Sequence, residues 1–526
     1  MDADQPSTLA DALSAAWRRR PDREALVCPH HRLTYEAMAR AARRLAGIYA
    51  WYGIAPGDRI VCAVGNRCEH LVAMAAAWSY GAVHVAADHR CTGAELTAIA
   101  GKTRAAALLY EPSGDRQNPF RTAAEVRRRV PGLRVVAVTE HLMPNDYPRW
   151  SLDGDGAPAE LPPPGAGPAP ADPAVVFISS GTTGTPKATV GFHGNLARRW
   201  PGLARWQGFG PDDVHLVQLP LSHGFGMMMA LAGLLGGGRL VLLDHFSAEN
   251  ALRAVTDEGV TVLNGAPAHF TMLLDRLGER HRVDSVRLAV GTAGRFPPGL
   301  VNAVWERFGA DLTIMYGSSE AVGVATSDPE DVLRGSVGRP EPGSVTIVGP
   351  DRAPLPVGEV GEVAFSRGVF PVRYWTSGDD AVAPRQPEPR PDEWYYSGDL
   401  GHLDERGRLY IHGRIKHQID RGGLKIDPTE VELALLRCPE VADAAVLGRP
   451  DPVVGETVCA CVRPADGRVP TLAGVRAALA GVLAPFKLPE ELCLLDEIPR
   501  TAIGKVDLPW LRAAVEAAPT ERLVRG

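Results

Sequence analysis

The sequence SSGTTGTPK, Ser179 to Lys187, combines two glycines with five hydroxyl side chains and closes on Pro-Lys. It follows the apolar run AVVFI, which predicts a buried strand, so the loop begins at the carboxyl end of that strand. Open α/β sheets bind ligands there, and such a loop suits phosphate. A Walker-type loop is disfavoured because Pro186 precedes the lysine and Ala188 follows it. The stretch is therefore a phosphate loop of another kind or a flexible surface turn.

The rest of the composition is that of a globular protein. The 526 residues are 45% hydrophobic and 22% charged, with a net charge of -6. This length predicts several packed units of about 100 to 200 residues each. No apolar run approaches the roughly 20 residues that span a bilayer, and the first residues lack a signal-peptide block. We expect a cytoplasmic protein with no membrane span and no general attraction to nucleic acid.

Cysteine and lysine usage gives two further indications. The eight cysteines form no C-x-x-C and no Cys/His cluster at zinc spacing, so we expect reduced, mostly buried thiols. Only six of the 56 basic residues are lysines, which a GC-rich genome would explain. A lysine retained in such a chain indicates a position that needs a compact ammonium group. Their positions are Lys102, Lys187, Lys416, Lys425, Lys487 and Lys505.

Helical and strand patterns alternate along most of the chain, which predicts an α/β fold. For example, HLVAMAAAWSYGAVHVAAD (70–88) predicts a helix, a break at Gly81 and a buried strand. The Pro/Gly/Ala-rich segment 154–173 predicts an irregular connector. Further strand-loop units are VHLVQLPLSHGFG (214–226), VTVLNGAPAHF (260–270) and DLTIMYGSSEAVG (311–323).

Beyond about residue 413 the pattern predicts a small α+β unit. Asp427-Pro428-Thr429-Glu430 supplies an N-cap, a first-turn proline and a capping glutamate, so a helix should begin there. The predicted elements that follow are strands at 441–448 and 456–464, a helix at 471–484, a strand at 491–498 and the loop PRTAIGK at 499–505.

SSGTTGTPK resembles the phosphate-binding signature of the adenylate-forming superfamily, which includes acyl-CoA and aryl-CoA synthetases, peptide-synthetase adenylation domains and firefly luciferase. The superfamily's other motifs have counterparts in the same order: LPLSHGFG (219–226), MYGSSE (315–320), GEVAFSRG with YW (361–375), WYYSGDL (394–400), GRIKHQIDRGGLKIDPTEVE (413–432) and PRTAIGK (499–505). The resemblance covers nearly the whole chain, and four of the six lysines fall inside these motifs.

The resemblance implies an α/β fold with two domains. Residues 1–413 would form a large N-terminal core of mixed α/β subdomains that binds the acid and ATP. Residues 414–526 would form a small, mobile α+β domain joined by a hinge at Lys416. The implied enzyme is an AMP-forming ligase: a carboxylate attacks the α-phosphate of ATP, and a thiol such as that of CoA then attacks the acyl adenylate.

The resemblance also assigns roles residue by residue. Catalytic roles fall on Thr183, His223, Glu320 and Lys505, with Glu320 as the Mg²⁺ ligand and Lys505 bridging the carboxylate and the phosphate. Tyr316 would stack on adenine, and Asp399 would accept the ribose hydroxyls with help from Arg414. The implied nucleotide-binding residues are Ser179, Ser180, Gly181, Thr182, Thr183, Gly184, Lys187, Gly291, Thr292, Ala293, Tyr316, Gly317, Ser318, Ser319, Asp399, Arg414 and Lys505.

After the first step the small domain would rotate about the hinge. That rotation would withdraw Lys505 and bring Gly422 and Gly423 near the pantetheine arm of the thiol acceptor. The sequence departs from the usual motifs at Ala188, Ser319 and Asp420, where relatives often have Gly, Thr and an apolar residue. The first two changes keep the chemistry possible, whereas the charge of Asp420 makes the contacts of its loop less secure.

The acid-site motif bears on the substrate. Amino-acid-activating relatives carry an aspartate after the phenylalanine of this motif, but here Gly226 follows Phe225, which disfavours an α-amino acid. The expected pocket is small and apolar and suits an aryl or a short to medium acyl group. Its expected walls are His223, Phe225, Met227, Ala266, Gly291, Met315 and Ser318. Some of the methionines Met227 to Met229 are alternatively simple core residues.

Three functions remain open at this point. The first is an acyl-CoA or aryl-CoA ligase. The second is a stand-alone adenylating enzyme that passes its acid to a carrier-protein thiol or to another nucleophile such as an amine. The third is a non-catalytic nucleotide-binding homologue, which the presence of Glu320, Asp399 and Lys505 disfavours. We expect a monomer or a homodimer.

Overall fold

The structure is a computed structural model that describes residues 6–111, 121–138, 149–150, 167–179, 187–292, 294, 296–371, 373–375, 393–501 and 504–523. Its helices are α1 (Leu9–Arg19), α2 (Tyr35–Trp51), α3 (Cys68–Tyr80), α4 (Gly93–Thr103), α5 (Arg121–Arg129), α6 (His193–Trp206), α7 (Gly224–Leu235), α8 (Ala248–Glu258), α9 (Pro267–Arg276), α10 (Pro298–Phe308), α11 (Pro329–Leu333), α12 (Pro428–Leu435), α13 (Leu472–Leu479) and α14 (Leu508–Ala517). Among the described residues, no helix combines the length and apolar character that crossing a membrane requires.

The strands are distributed over four sheets. In chain order they are β1 (Glu24–Val27), β2 (Arg32–Thr34), β3 (Arg59–Ala63), β4 (Val83–Ala86), β5 (Ala107–Tyr110), β6 (Arg134–Val138), β7 (Arg149–Trp150), β8 (Pro173–Ser179), β9 (Lys187–Phe192), β10 (Val214–Val217), β11 (Arg239–Leu242), β12 (Val262–Gly265), β13 (Leu288–Gly291), β14 (Asp311–Tyr316), β15 (Ala325–Thr326), β16 (Arg339–Pro340), β17 (Val345–Val348), β18 (Gly361–Ser366), β19 (Trp394–Leu403), β20 (Leu409–Arg414), β21 (Ile419–Arg421), β22 (Leu424–Ile426), β23 (Val441–Asp451), β24 (Gly455–Pro464), β25 (Glu491–Leu494) and β26 (Thr520–Arg522).

Two large sheets form the N-terminal part of the molecule. One has the order β16-β15-β14-β13-β12-β10-β11-β1-β2, and the other has the order β7-β6-β5-β3-β4-β8-β9. Most neighbouring strands in both are parallel, as short buried apolar strands alternating with helices predict. A large apolar core that includes residues of α1, α2, α3, α6 and α7 packs against both sheets. This arrangement confirms the predicted α/β class.

Two smaller sheets follow. Strands β17-β18-β19-β20 form an antiparallel sheet, and the six strands from β21 to β26 form the last one. The change from one sheet to the other occurs between Arg414, which ends β20, and Ile419, which begins β21. Arg414, which the domain prediction assigns to the small domain, thus pairs in register with Asp399 of β19.

The predicted helix start at Asp427 is confirmed. The Asp427 side chain accepts a hydrogen bond from the Thr429 amide, and α12 begins at Pro428. Two other predicted elements are too long. Helix α13 ends at Leu479 rather than 484 because Gly481 adopts a φ of 89°, and β25 ends at Leu494 rather than 498.

A buried histidine makes the stability of this fold depend on pH. His193, at the start of α6, has no exposed surface, its ring nitrogens have no partner, and its ring lies edge-on to Trp78. Burial lowers the pKa of His193 to about 3. The pKa of His193 is lower in the folded state than in the unfolded state. The stability linked to this histidine is therefore fully present above the unfolded pKa of about 6.5 and is lost as the pH falls toward the folded pKa.

We therefore expect His193→Phe to flatten this acid dependence. Between about pH 7 and about pH 5, the free energy of unfolding should fall by about 2 kcal/mol less in the variant than in the wild type. Urea unfolding at the two pH values measures the difference, with exposed His30→Phe as the matched control. An equal fall in His193→Phe and wild type would contradict the assignment.

Candidate active site

Several predicted site residues lie at one edge of the nine-stranded sheet. Gly265 of β12 pairs in register with Gly291 of β13, and Gly291 pairs with Ile314 of β14. Because these strands are parallel, Ala266, Thr292 and Tyr316 all lie at the carboxyl ends of neighbouring strands. This edge is where ligands bind in open α/β sheets.

Tyr316 and Arg414 both contact Asp399. The Tyr316 hydroxyl donates to Asp399 Oδ2 at 2.7 Å, and Arg414 Nε donates to Asp399 Oδ1 at 2.7 Å. Asp399 is only 6% exposed. Burial raises the pKa of Tyr316 well above its usual value, and the Asp399 charge adds to the shift. The carboxylate is therefore fixed in orientation, with lone pairs left to accept further hydrogen bonds.

A second cluster surrounds Glu320. The Tyr374 hydroxyl donates to Glu320 Oε1 at 2.9 Å and lies 3.1 Å from the Tyr395 hydroxyl. Lys187 Nζ lies 5.5 Å from the centroid of the Tyr374 ring. Burial raises the pKa of Tyr374, with the Tyr395 hydrogen bond and the Glu320 charge contributing. Both tyrosines belong to recognised motifs, yet the sequence interpretation gave neither a role.

Main-chain hydrogen bonds hold Tyr374 in this position. The Trp375 amide donates to the Ala188 carbonyl at 2.7 Å, and the Val190 amide donates to the Arg373 carbonyl at 2.9 Å. The segment 373–375 is thus attached to β9, which begins at Lys187. Tyr374 thus links the two residues, with Glu320 at its hydroxyl and Lys187 over its ring.

Glu320 fits the predicted Mg²⁺ role chemically. Its carboxylate is a hard oxygen ligand of the kind Mg²⁺ prefers, and Tyr374 orients it beside a lysine suited to phosphate. Mg²⁺ keeps several water ligands and binds phosphates through one or two carboxylates, so a single glutamate is a sufficient protein contribution.

The loop that carries Lys505 docks onto the N-terminal part of the molecule. Arg500 and Val506 form a bridge across this loop, and the Arg500 guanidinium is anchored to Asp443 at 2.8 Å. Gly504 has a φ of 79°, and a Cβ built on it would lie 2.5 Å from the Ala266 Cβ. A glycine is therefore required here both by conformation and by the close approach of the two domains' chains.

Lys505 lies among charged groups contributed by several elements. Burial among protein atoms lowers the pKa of Lys505 most, and the charges of Arg414 and Lys416 lower it further. The charges of Asp399 and Glu320 oppose this shift. The side chain is nonetheless solvent-accessible, as expected of a lysine projecting into a cleft rather than into a core.

His223 belongs to the same space. Burial lowers its pKa to about 4, and the Lys505 charge contributes, so the imidazole is neutral near pH 7. The structure thus brings Lys505, His223, Asp399 and Glu320 together, as the resemblance implied. Four cations against two carboxylates leave this region positively charged, which suits a polyphosphate. The four are Lys187, Lys416, Lys505 and Arg414.

The predicted acid-pocket walls differ in exposure. Met227 and Ala266 have no exposed surface and Met315 is 3% exposed, so none of them opens to the cleft in this arrangement. Met227 packs in the large core with Met228 and Met229, because α7 is apolar on every face. A Cβ at Gly291 would lie 2.5 Å from the Phe296 ring, so Phe296, absent from the prediction, borders this position. Phe225 is partly buried against the core, and Ser318 closes a turn onto Ala321.

A cavity of about 350 Å³ adjoins the lysine loop. Arg500, Thr501 and Gly504 border it on one side, and His269 and Phe246 lie among its other walls. Its volume is within the range of small-molecule sites.

The two glycines of the predicted thiol-acceptor tunnel are not brought to the site. Gly422 and Gly423 form the tip of the β21–β22 hairpin with φ values of 60° and 86°, and no atom lies within 4 Å of a Cβ built on either. The unusual charge at Asp420 is accounted for by local contacts. Its carboxylate accepts a hydrogen bond from the Gly423 amide and pairs with Lys425 at 2.6 Å. Lys416 lies in a short 3-10 turn between β20 and β21.

Part of the predicted phosphate loop lies outside the described residues. The predicted loop residues concerned are Ser180, Gly181, Thr182, Thr183 and Gly184, and Ala293, predicted to flank the adenine, also lies outside the described residues. The backbone of Ser179 pairs in register with that of Lys187 across the β8–β9 hairpin. The roles of these residues stay predictions.

Comparisons with known proteins agree with this geometry. The family model described as AMP-binding enzyme matches residues 13–372, and the AMP-binding enzyme C-terminal domain matches residues 430–505. Triostin synthetase I of Streptomyces triostinicus is 33% identical, covering 97% of this chain and 95% of that protein. The 2-hydroxy-7-methoxy-5-methyl-1-naphthoate–CoA ligase of Streptomyces carzinostaticus is 34% identical, covering 96% and 93%.

Solved structures extend the agreement to the whole fold. The amide bond synthetase McbA from Marinactinospora thermotolerans superposes with a TM-score of 0.80 at 26% identity, covering 96% of this chain and 99% of that one. The predicted superfamily resemblance is thereby confirmed. From the extent of these matches, the chain belongs to the AMP-binding enzyme family and is an ATP-dependent adenylate-forming ligase.

Proposed function

We propose that this enzyme is an acid:CoA ligase that forms an acyl adenylate with release of pyrophosphate and then transfers the acyl group to the thiol of CoA. The observation that supports it most is the docking of Lys505 beside Glu320 and Asp399, because those carboxylates come from the other domain. An ammonium group, a Mg²⁺ ligand and a ribose acceptor around one phosphate are the groups that formation of an acyl adenylate requires.

In this proposal each group has one task. Asp399 and Arg414 bind the ribose, Glu320 holds Mg²⁺, and Lys505 neutralises charge as the carboxylate oxygen attacks the α-phosphorus. Pyrophosphate leaves toward the loop Ser179 to Gly184 and Lys187. The small domain then rotates about Lys416, which removes Lys505 and brings the Gly422–Gly423 hairpin tip to the thiol.

The proposed acid is an aryl or a short to medium acyl carboxylate without an α-ammonium group. A Cβ at Gly226 would lie 2.4 Å from the Pro220 carbonyl oxygen and 2.9 Å from that of Leu219. An aspartate that pairs with an ammonium group therefore has no room at this position. The relative named for a naphthoate favours an aryl acid.

The identity of the acceptor has one specific alternative. The structural neighbour named as an amide bond synthetase favours transfer to an amine. Transfer to a carrier-protein thiol belongs to the same alternative, in which the acceptor is not CoA.

An acceptor assay decides between these outcomes. Purified enzyme with ATP, Mg²⁺ and a panel of benzoates, naphthoates and short acyl acids is first tested for acid-dependent pyrophosphate exchange. Each active acid is then offered CoA, a carrier protein, an amine or no acceptor. We expect a CoA thioester from an aryl acid. An acid that supports exchange but forms product only with the amine or carrier would overturn the CoA assignment.

The ribose role of Asp399 gives a prediction for nucleotide affinity. Asp399→Asn removes the charge of two charge-assisted hydrogen bonds, each worth about 1.5 to 3 kcal/mol. We expect kcat/KM for ATP to fall by about 10- to 100-fold, mainly through KM. Tyr316→Phe, which removes only one hydroxyl partner of Asp399, is the matched control and should have a smaller effect. Steady-state kinetics with a saturating acid measures both, and equal ATP dependence in Asp399→Asn and wild type would contradict the role.

A further inference from the structure

Cys62, His70 and His84 meet in the core on one face of the seven-stranded sheet. Ile60 of β3 pairs in register with His84 of β4, and Cys62 lies two residues further along the same face of β3. Helix α3, which carries His70, covers this face. One ligand atom from each of the three side chains lies within 4.8 Å of the others.

Each of the two histidines has a ring nitrogen that is buried without a hydrogen-bond partner. His70 Nδ1 lies 2.7 Å from the Val64 carbonyl oxygen, so it carries the proton and leaves the Nε2 lone pair free. Nε2 of His70 and Nε2 of His84 are both buried and have no hydrogen-bond partner. A carbonyl that receives the Nδ1 proton is the usual support of a metal-binding histidine.

The two histidines are in the form that binds a metal, whereas the cysteine must lose its proton on binding. Burial lowers the pKa of His70 to about 4 and that of His84 well below its usual value, so both imidazoles are neutral. Burial raises the pKa of the Cys62 thiol, while a hydrogen bond from the Val64 amide opposes the shift. A bound cation would displace the thiol proton to solvent as the metal–sulfur bond forms.

We propose that Cys62, His70 and His84 form a structural site for a closed-shell thiophilic metal ion, Zn²⁺ or Cu⁺. Thiolate and imidazole are ligands of both ions, whereas Mg²⁺ and Ca²⁺ require oxygen ligands. Structural Zn²⁺ takes four ligands, so this set of three is complete for a three-coordinate Cu⁺ and needs one further ligand, such as water, for Zn²⁺. The three residues are at most 1% exposed, so the ion would be enclosed during folding rather than exchanged at a surface.

The site is placed to order the wall of the cavity beside the lysine loop. Val64, whose carbonyl holds His70, is followed by Gly65 and Asn66, and all three line that cavity. The Asn66 side chain accepts from the Leu221 amide at 2.9 Å and donates to the Leu219 carbonyl at 3.1 Å. A metal at this position would therefore stabilise the segment that leads to His223.

Metal analysis of the full-length enzyme tests the proposal. The protein is produced with added zinc and copper, purified without a histidine tag or chelator, and analysed by plasma mass spectrometry. We expect about one equivalent of zinc or copper per chain. The two measured metals distinguish the two ions. Less than about a tenth of an equivalent of both would overturn the proposal and leave the histidines as packed core residues.

Variants and spectroscopy locate the ion. Cys62→Ala should lose the metal, whereas Cys459→Ala, a matched buried cysteine in the small domain, should retain it. Because Cys62→Ala is a core substitution that can impair folding, X-ray absorption of the wild type provides a second measurement. It should show one sulfur and two nitrogen ligands. A shell of oxygens only, or unchanged metal in Cys62→Ala, would contradict the site.

Discussion

Lys505→Ala is expected to lose acid-dependent ATP–pyrophosphate exchange by at least about 100- to 1,000-fold. In the proposed mechanism Lys505 is the ammonium group that the small domain adds to the cleft, where Asp399 and Glu320 oppose the lowering of its pKa by burial. Removing it eliminates a positioned charge at the phosphate where negative charge accumulates in the transition state. Exchange measured with saturating acid and ATP reports this step alone.

The same variant should retain the second half-reaction. In the proposed domain rotation Lys505 moves away from the adenylate, so preformed acyl adenylate and CoA should give thioester at close to the wild-type rate. Lys102→Ala, in α4 away from every recognised motif, is the matched control and should leave both steps unchanged. Equal loss of both half-reactions in Lys505→Ala would contradict domain alternation.

Gly504→Ala is expected to reduce adenylation about 30-fold or more. The alanine would have to adopt a backbone φ of 79°, and its Cβ would lie 2.5 Å from the Ala266 Cβ. Backbone strain and steric overlap therefore both oppose docking of the loop. Together these terms cost about 2 to 5 kcal/mol. The effect should appear in kcat for pyrophosphate exchange and not in thioester formation from preformed adenylate.

Gly481→Ala separates the two causes. Gly481 has a φ of 89°, but no atom lies within 4 Å of a Cβ built there, so this variant has the same backbone strain without the contact. Exchange in Gly481→Ala should stay near the wild-type rate. Comparable losses in both glycine variants would show that destabilisation of the small domain, rather than lost docking, lowers the rate.

Sequence reasoning predicted the elements whose signals are local. The apolar run ending at Ser179, the helix break at Gly81 and the N-cap at Asp427 each depend on a few adjacent residues, and the structure has all three. The predicted end of α13 was wrong because the apolar periodicity continues through Gly481. Only the backbone conformation of that glycine shows where the helix breaks.

Contacts between distant segments were not predictable in this way. The hydrogen bond between Tyr374 and Glu320 joins residues 54 positions apart, and the motifs containing them gave no indication of their register. Cys62, His70 and His84 match no metal-binding spacing, because two strands and a helix bring them together in space. The packing of Gly504 on Ala266 likewise depends on how two domains dock.

Isotope transfer tests whether the acid's own oxygen attacks the α-phosphorus of ATP. An acid that the acceptor assay identifies is labelled with heavy oxygen in both carboxyl positions and converted with ATP and CoA. We expect AMP that carries one heavy oxygen, with none in pyrophosphate, because the carbon–oxygen bond breaks when the thiol attacks. Label in inorganic phosphate, or unlabelled AMP, would contradict an acyl adenylate.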